Sequence, residues 1–312
     1  MAVGDFVNFY EPGSSNNFNF AATWNGSSWN PTGVTGINQE VVLKDTSCIT
    51  TSFCMAGGYS LNTVDVFYLA KQGTKWSLGW DGVPVLGYIN SMSCLSLSFC
   101  MASGGNTYSW GAPSTTLVYI NTSLLTNNWN VSPTPNPTYG GFLTGVSCTA
   151  SSFCMVEGYD GAIDSFIGSW NGSSWKVKVY PYSSGEGTNS ISCTSPDFCM
   201  DGFATIWDGS SWSWAGKPPQ QLQQLSPKTT FVSCVSQTFC AVVGVIYNTV
   251  STIPPIPLGT FAASWNGSTL TPVSSPSPTG PDDALNGVSC VKTNFCMAVG
   301  SELTGTATLI PA

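Results

Sequence analysis

Apolar residues along this chain come in short runs broken by turn-forming residues, and two of those runs recur. The first is a small apolar word, Met55-Ala56-Gly57-Gly58, met again as Met101-Ala102-Ser103-Gly104, Met155-Val156-Glu157-Gly158, Ala241-Val242-Val243-Gly244 and Met297-Ala298-Val299-Gly300. The second is a turn flanked by indoles: Trp24-Asn25-Gly26-Ser27-Ser28-Trp29, Trp170-Asn171-Gly172-Ser173-Ser174-Trp175 and Trp207-Asp208-Gly209-Ser210-Ser211-Trp212. Runs this short, joined through Asn-Gly or Asp-Gly, predict β-hairpins and not long amphipathic helices. A two-residue type I′ turn over Asn-Gly sets Trp24 opposite Ser27, with Trp29 two residues further on, so both indoles are expected on one sheet face. Trp265-Asn266-Gly267-Ser268-Thr269-Leu270 and Lys71-Gln72-Gly73-Thr74-Lys75-Trp76 are weaker copies, and the copy ending at Trp129 is the most divergent.

Each small apolar word follows the second cysteine of a pair. The pairs are Cys48 and Cys54, Cys94 and Cys100, Cys148 and Cys154, Cys193 and Cys199, Cys234 and Cys240, and Cys290 and Cys296. Ser precedes every first cysteine and Phe every second one, from Ser47 and Phe53 to Ser289 and Phe295. Zinc sites favour cysteines two to four apart and redox motifs favour Cys-x-x-Cys, so neither chemistry fits. A hairpin with a loop of about five residues brings cysteines six apart together, and one disulfide per pair is expected. In the chain-entropy picture each ring contributes roughly 2 kcal/mol, and six rings place the chain outside a reducing cytoplasm.

The first cysteines follow one another at 46, 54, 45, 41 and 56 residues, the mark of a repeat architecture. Each period supplies about four strands: Ser-Cys, Cys-Met-Ala-x-Gly, a third ending in Trp and a fourth after Asn-Gly. Four-stranded antiparallel sheets repeated radially make a β-propeller. The expected fold is therefore all-β, a single six-bladed propeller over residues 1–312 with one disulfide per repeat, or seven blades if one is incomplete. A β-solenoid, with its shorter rungs, is the rival. Met1-Ala2-Val3-Gly4 repeats the apolar word without a cysteine pair before it, so the chain starts in mid-repeat. The N-terminal piece is expected to give strands two to four, and the C-terminal piece strands one, two and a third through Thr306–Ile310. One strand is then surplus, with residues 301–312 expected as an extra strand or a tail, and Met1 is either an initiator or an ordinary repeat residue.

With Val-Ser-Cys, Cys-x-Ala-Val-Gly and Trp-Asn-Gly-x-x-Trp in tandem, the chain resembles the secreted propeller-like repeat proteins of bacteria over nearly its whole length. The resemblance implies fold and not function, because propellers host unrelated activities.

Composition then narrows the chemistry. Charged residues make up 8% of the chain, every basic residue is Lys, and His and Arg are absent. Without His, neither a Ser-His-Asp nor a Cys-His pair can form, and no imidazole can hold a metal. A net charge of −8 with no basic run argues against a nucleic-acid or anionic-membrane partner. No apolar run approaches the roughly 20 residues of a spanning helix, and the first residues do not read as a signal peptide.

Paired carboxylates, as in glycosidases, are the catalytic apparatus left. Asp160, Asp164, Asp282, Asp283 and Glu157 are the candidates, although turn composition around the aspartates reads more simply as solvated loops. The turn motif is similar to that of sialidase-like propellers, whose arginine cluster is missing here. Clustered acids could take calcium, but no Asp-x-Asp-x-Asp-Gly run is present, and no metal or cofactor is expected. The repeated tryptophans are expected to pack between blades, which leaves Trp80, Trp110 and Trp214, outside the repeat position, as candidates for ligand contact. The resulting expectation is a non-enzymatic extracellular or cell-surface structural protein, self-assembling into a filament-type homopolymer by strand exchange. The alternative is a lectin-like polysaccharide binder or a carboxylate-based glycoside-active enzyme.

Overall fold

The computed structural model describes residues 2–7, 17–33, 41–60, 66–73, 75–79, 87–106, 115–122, 129–134, 140–160, 165–180, 190–215, 226–248, 256–276 and 283–301. They form antiparallel meanders in which each strand pairs with its neighbours in sequence. The chain divides into two compact units, 1–185 and 186–312. The first holds a three-stranded sheet of β1 (Ala2–Val7), β2 (Asn17–Trp24) and β3 (Trp29–Gly33), followed by three four-stranded sheets. These are β4 (Val41–Thr50), β5 (Phe53–Ser60), β6 (Val66–Gln72) and β7 (Lys75–Gly79); β8 (Tyr88–Ser96), β9 (Phe99–Asn106), β10 (Thr115–Asn121) and β11 (Trp129–Pro133); and β12 (Gly141–Ala150), β13 (Phe153–Asp160), β14 (Ser165–Trp170) and β15 (Trp175–Tyr180).

The second unit has two four-stranded sheets and a two-stranded one. They are β16 (Ile191–Ser195), β17 (Phe198–Asp201), β18 (Thr205–Trp207) and β19 (Trp212–Trp214); β20 (Ser226–Ser236), β21 (Phe239–Asn248), β22 (Ile256–Trp265) and β23 (Leu270–Pro272); and β24 (Ala284–Lys292) with β25 (Phe295–Ser301). Among the described residues there are thus five complete four-stranded sheets where six were expected. The third C-terminal strand anticipated at 306–310 lies outside the described residues.

All six cysteine pairs are disulfides across the first hairpin of their repeats, with Cα atoms 3.9–4.0 Å apart. The loop is tighter than the five residues expected. Thr50 pairs with Phe53 across a two-residue turn, and the register slips by one residue between Cys48 and Thr50, so Ile49 sits in a bulge. The Thr50 hydroxyl accepts the backbone N–H of Ser52 and of Phe53, and Ser96, Ser195 and Ser236 accept equivalent N–H bonds.

A Cα separation this short marks a non-hydrogen-bonded antiparallel pair, whose N–H groups point away from the partner strand. The first cysteine's N–H therefore leaves the sheet at its edge, where the serine of the preceding repeat receives it. Cys94 N–H donates to Ser47 Oγ at 2.9 Å, and Cys148, Cys234 and Cys290 donate to Ser93, Ser192 and Ser233 at 3.0 Å each. A second rung lies two residues earlier: Met92 N–H donates to Asp45 Oδ2, Val146 N–H to Ser91 Oγ and Val232 N–H to Ser190 Oγ. The invariant serine of the repeat thus satisfies an edge that a lone sheet would leave unpaired.

The word Phe-Cys-Met-Ala serves two interfaces through strand alternation. Cys100 and Ala102 of β9 pack in a cluster with Phe53 and Met55 of the preceding sheet. Phe99 and Met101, on the opposite face of the same strand, pack with Val146, Cys148 and Phe166 of the following one. In the second unit Phe198 and Met200 pack likewise against Val232, Cys240 and Val242. Both faces of the second strand are therefore apolar, and it is buried along its length in β9 and β17. The hairpin β24–β25 differs: Phe295 is 42% exposed, while Phe53, Phe99 and Phe198 are 9% or less.

The outer hairpin corrects the expected register. Trp24 pairs with Trp29, Trp170 with Trp175 and Trp207 with Trp212, each across a four-residue turn and not the two-residue one. The Asn side chain closes this turn: Asn171 Oδ1 accepts the N–H of Ser173 and of Ser174, while glycine at φ 96° takes the left-handed bend. The indoles still share one face, with ring centroids 5.6, 5.2 and 5.9 Å apart. Trp170 and Trp175 pack against the cluster of Phe99 and Met101, and Trp265 is buried in that of Phe198 and Met200. Trp170, Trp207 and Trp265 each donate the indole N–H to the first hairpin's tip, at Ser151, Pro196 and Gln237 carbonyls. Both tight turns of a repeat therefore lie at one end of its sheet.

Candidate functional site

The other end of the first unit's sheets is where β5, β9 and β13 finish and β4, β8 and β12 begin. There the strands present aromatic residues. Tyr59 lies opposite Val42, Tyr88 opposite Gly105 and Phe142 opposite Tyr159, each five or six residues from its cysteine and so about 17–20 Å along the strand from the disulfide. The rings meet edge to face across three successive sheets. Tyr59 stands 6.1 Å from Tyr88, Tyr88 6.3 Å from Phe142, and Phe142 3.9 Å from Tyr159, between centroids. All four are half-buried, and Lys44 Nζ lies 5.9 Å from the Tyr59 ring centroid.

Gly105 makes room for this arc. A Cβ there would come within 2.8 Å of the Tyr88 hydroxyl and 2.9 Å of Phe142 Cβ. Burial raises the Tyr88 phenol well above its ordinary range, and neighbouring Tyr159 and Tyr59 add to the shift; burial raises Tyr159 too. These phenols stay protonated at any physiological pH. They offer hydrogen bonds and ring faces but no base, which suits the binding of a neutral, hydroxyl-rich or planar ligand and not proton abstraction.

Two of the acidic candidates, Glu157 and Asp283, are buried and not solvated. Glu157 is an interior residue of β13 and 1% exposed, and Asp283, just before β24, is also 1% exposed. They belong to different units. The Asp160 side chain and residues Asp164 and Asp282 lie outside the described residues. Two acids that sequence reasoning passed over carry clear roles. Asp45 accepts bonds from the Met92 N–H, the Ser91 hydroxyl and the Thr46 N–H, joining two sheets, while burial raises its carboxyl. Asp201 is buried and accepts the Thr205 N–H and hydroxyl; burial pushes its carboxyl up to about 6 against those hydrogen bonds. No cluster of metal-ligating side chains occurs among the described residues.

Of the tryptophans set aside for ligand contact, Trp80 and Trp110 lie outside the described residues. Trp214, in the outermost strand β19, is 48% exposed. The arc itself was missed because its members fall on no repeated word. The signal was present in the sequence as aromatic residues six before a first cysteine (Tyr88, Phe142) and five after a second (Tyr59, Tyr159).

The sequence matches no protein-family model and no curated protein. Solved structures do resemble it. YCF48 bound to D1 peptide aligns over 91% of this chain and 85% of that one, at 10% identity and a TM-score of 0.57. The BP39L lectin from Burkholderia pseudomallei aligns over 93% and 89%, at 13% identity and 0.57. The GH74 xyloglucanase from Xanthomonas campestris aligns over 84% of this chain but 42% of its own, at 9% identity and 0.56. At such identities the likeness is one of fold. The chain is an all-β propeller with four-stranded antiparallel blades and a disulfide in each repeat. No helix among the described residues is long and apolar enough to cross a membrane.

Proposed function

We propose that this chain is an extracellular, non-enzymatic propeller that binds a carbohydrate at the aromatic end of its blades. The observation that carries the reading is the arc of Tyr59, Tyr88, Phe142 and Tyr159, which crosses three blades at the end away from their disulfides. Ring faces stack on the apolar face of a pyranose, and protonated phenols hydrogen-bond its hydroxyls. The likeness of fold to a bacterial lectin is compatible with this. Six disulfide hairpins supply six inner strand pairs, which supports a six-bladed single domain and an oxidising, extracellular location. In a glycan-array and calorimetry series, the oxidised protein is expected to bind a neutral glycan, and Tyr59→Ala or Tyr88→Ala to weaken it at least tenfold. Binding left intact by both substitutions, or no glycan bound at all, would overturn the reading.

A second reading, a structural subunit that associates with copies of itself, has one specific support. The face of β24–β25 that carries Phe295 is the face that other repeats bury against the following blade, and Val291 beside it is 67% exposed. The occupant that fits is a blade of a second copy, since the repeat's own interface is built to meet another repeat.

A further inference from the structure

The four-residue turns at the disulfide end carry a feature that the fold does not require. Three read Asn-Gly-Ser: Asn25-Gly26-Ser27, Asn171-Gly172-Ser173 and Asn266-Gly267-Ser268. The fourth, Asp208-Gly209-Ser210, builds the same turn with a carboxylate. Asp208 Oδ1 accepts the N–H of Ser210 at 2.9 Å and of Ser211 at 2.8 Å, as Asn25 Oδ1 does from Ser27 at 2.9 Å and Ser28 at 2.8 Å. The turn thus needs an oxygen at this position; the amide nitrogen adds a bond to the Ser28 hydroxyl at 3.1 Å and to the Ser174 hydroxyl at 3.0 Å, which the Asp208 turn forms without. Yet three of the four copies carry an amide, each followed two residues later by a hydroxyl. That hydroxyl donates to the Asn carbonyl oxygen at 3.0 Å in the first two turns and 2.9 Å in the third. Every residue of these turns is exposed.

We propose that Asn25, Asn171 and Asn266 are N-glycosylation sites, modified after the chain reaches the oxidising compartment that its disulfides require. An Asn-x-Ser sequence is an acceptor only where a transferase can reach it, and a protruding turn with glycine at the middle position gives that access. The co-reactant is an oligosaccharide carried on a polyprenyl diphosphate. A bond forms between Asn Nδ2 and C1 of the first sugar as the C1–O bond to the diphosphate breaks. The diphosphate leaves with the electron pair, and one Nδ2 proton passes to a base of the transferase. Each glycan would stand at the turn end of its own sheet, and in the first unit those on Asn25 and Asn171 would lie at the end away from the aromatic arc.

The chain contains its own controls. Asn121-Thr122-Ser123 has the same sequence pattern, but Asn121 is fully buried, and Asn130-Val131-Ser132 lies within the paired strand β11. The test uses the folded, oxidised protein with an oligosaccharyltransferase and lipid-linked donor shown to be active on a short Asn-Gly-Ser peptide, followed by mass mapping. The expected result is a glycan on the peptides of Asn25, Asn171 and Asn266 and none on those of Asn121, Asn130 or Asp208. Asp208→Asn is expected to gain a fourth glycan, and Ser173→Ala to lose the one at Asn171 with its melting temperature kept. Bare turn asparagines in the folded protein, occupancy at Asn121 equal to that of the turns, or an Asp208→Asn variant that stays unmodified would each overturn the proposal.

Discussion

At the scale of single residues, the stability of this molecule depends on polar groups placed where strand edges would otherwise be unsatisfied. The carboxyl of Asp201 shows how that dependence becomes a response to pH. Its ordinary value of 3.8 is raised to about 6, chiefly by burial. The folded state therefore holds the proton more tightly than the unfolded state. This contribution to stability is complete below about pH 4 and is lost as the pH rises through about 6. Asp208 works in the opposite sense: hydrogen bonds from Ser211 and Ser210 lower it to about 2, so its contribution is lost only in strong acid and does not offset the other. The protein is expected to gain on the order of 2 kcal/mol between pH 7.5 and pH 4.5 through Asp201, and Asp201→Asn to flatten the profile there. Denaturant unfolding at both pH values checks this, and equal slopes in the two proteins would refute it. The role of Asp201 was not legible beforehand, because burial of a carboxylate depends on what packs over it, whereas Asp208 was visible as a turn residue. The serine before each first cysteine was visible as a constant. Its work, taking a neighbour's N–H, follows from a narrow strand pair that spacing alone does not reveal.

At the scale of elements, the second hairpin joins two jobs in one motif. Trp175 faces Trp170 and packs with Val177 against the cluster that holds Phe99 and Phe166. Trp175→Ala is expected to cost about 3 kcal/mol, somewhat below a fully buried indole since Trp175 is half-buried. An unchanged melting temperature would mean that the indole pair is a surface feature. Disulfides, strand order and the shared face of the indoles could all be read from spacing, which reports periodicity well. Turn type could not. Asn-Gly favours a two-residue loop in isolation, but here the two serines that follow give Asn171 Oδ1 a pair of N–H donors, and the longer loop lets the glycine settle on Ser152 at the neighbouring tip. Side-chain capping outweighed the local turn preference.

At the scale of the whole molecule, the two candidate readings make separable demands. Carbohydrate binding needs the aromatic end to be reachable, whereas self-association needs the β24–β25 face to be covered. If copies join through that face, light scattering will show mass rising with concentration, and Phe295→Ser will return the protein to a monomer without affecting glycan binding. A constant monomer mass across the concentration range would remove the assembly reading and leave the other intact. The aromatic arc was hidden from sequence inspection for a reason that belongs to this scale. Its members are 29, 54 and 17 residues apart in order, and only the stacking of one sheet on the next makes them neighbours.

The bond from Ser47 to Cys94 is chemically the same as the bond from Ser93 to Cys148, or from Ser233 to Cys290. Each repeat presents the same acceptor forward and the same donor backward, so any repeat is a fitting neighbour for any other. Unequal recombination between two copies of the coding segment would then add or remove a repeat while leaving every junction chemically intact. In such a lineage the number of repeats can change while the serine–cysteine junction between neighbours is kept.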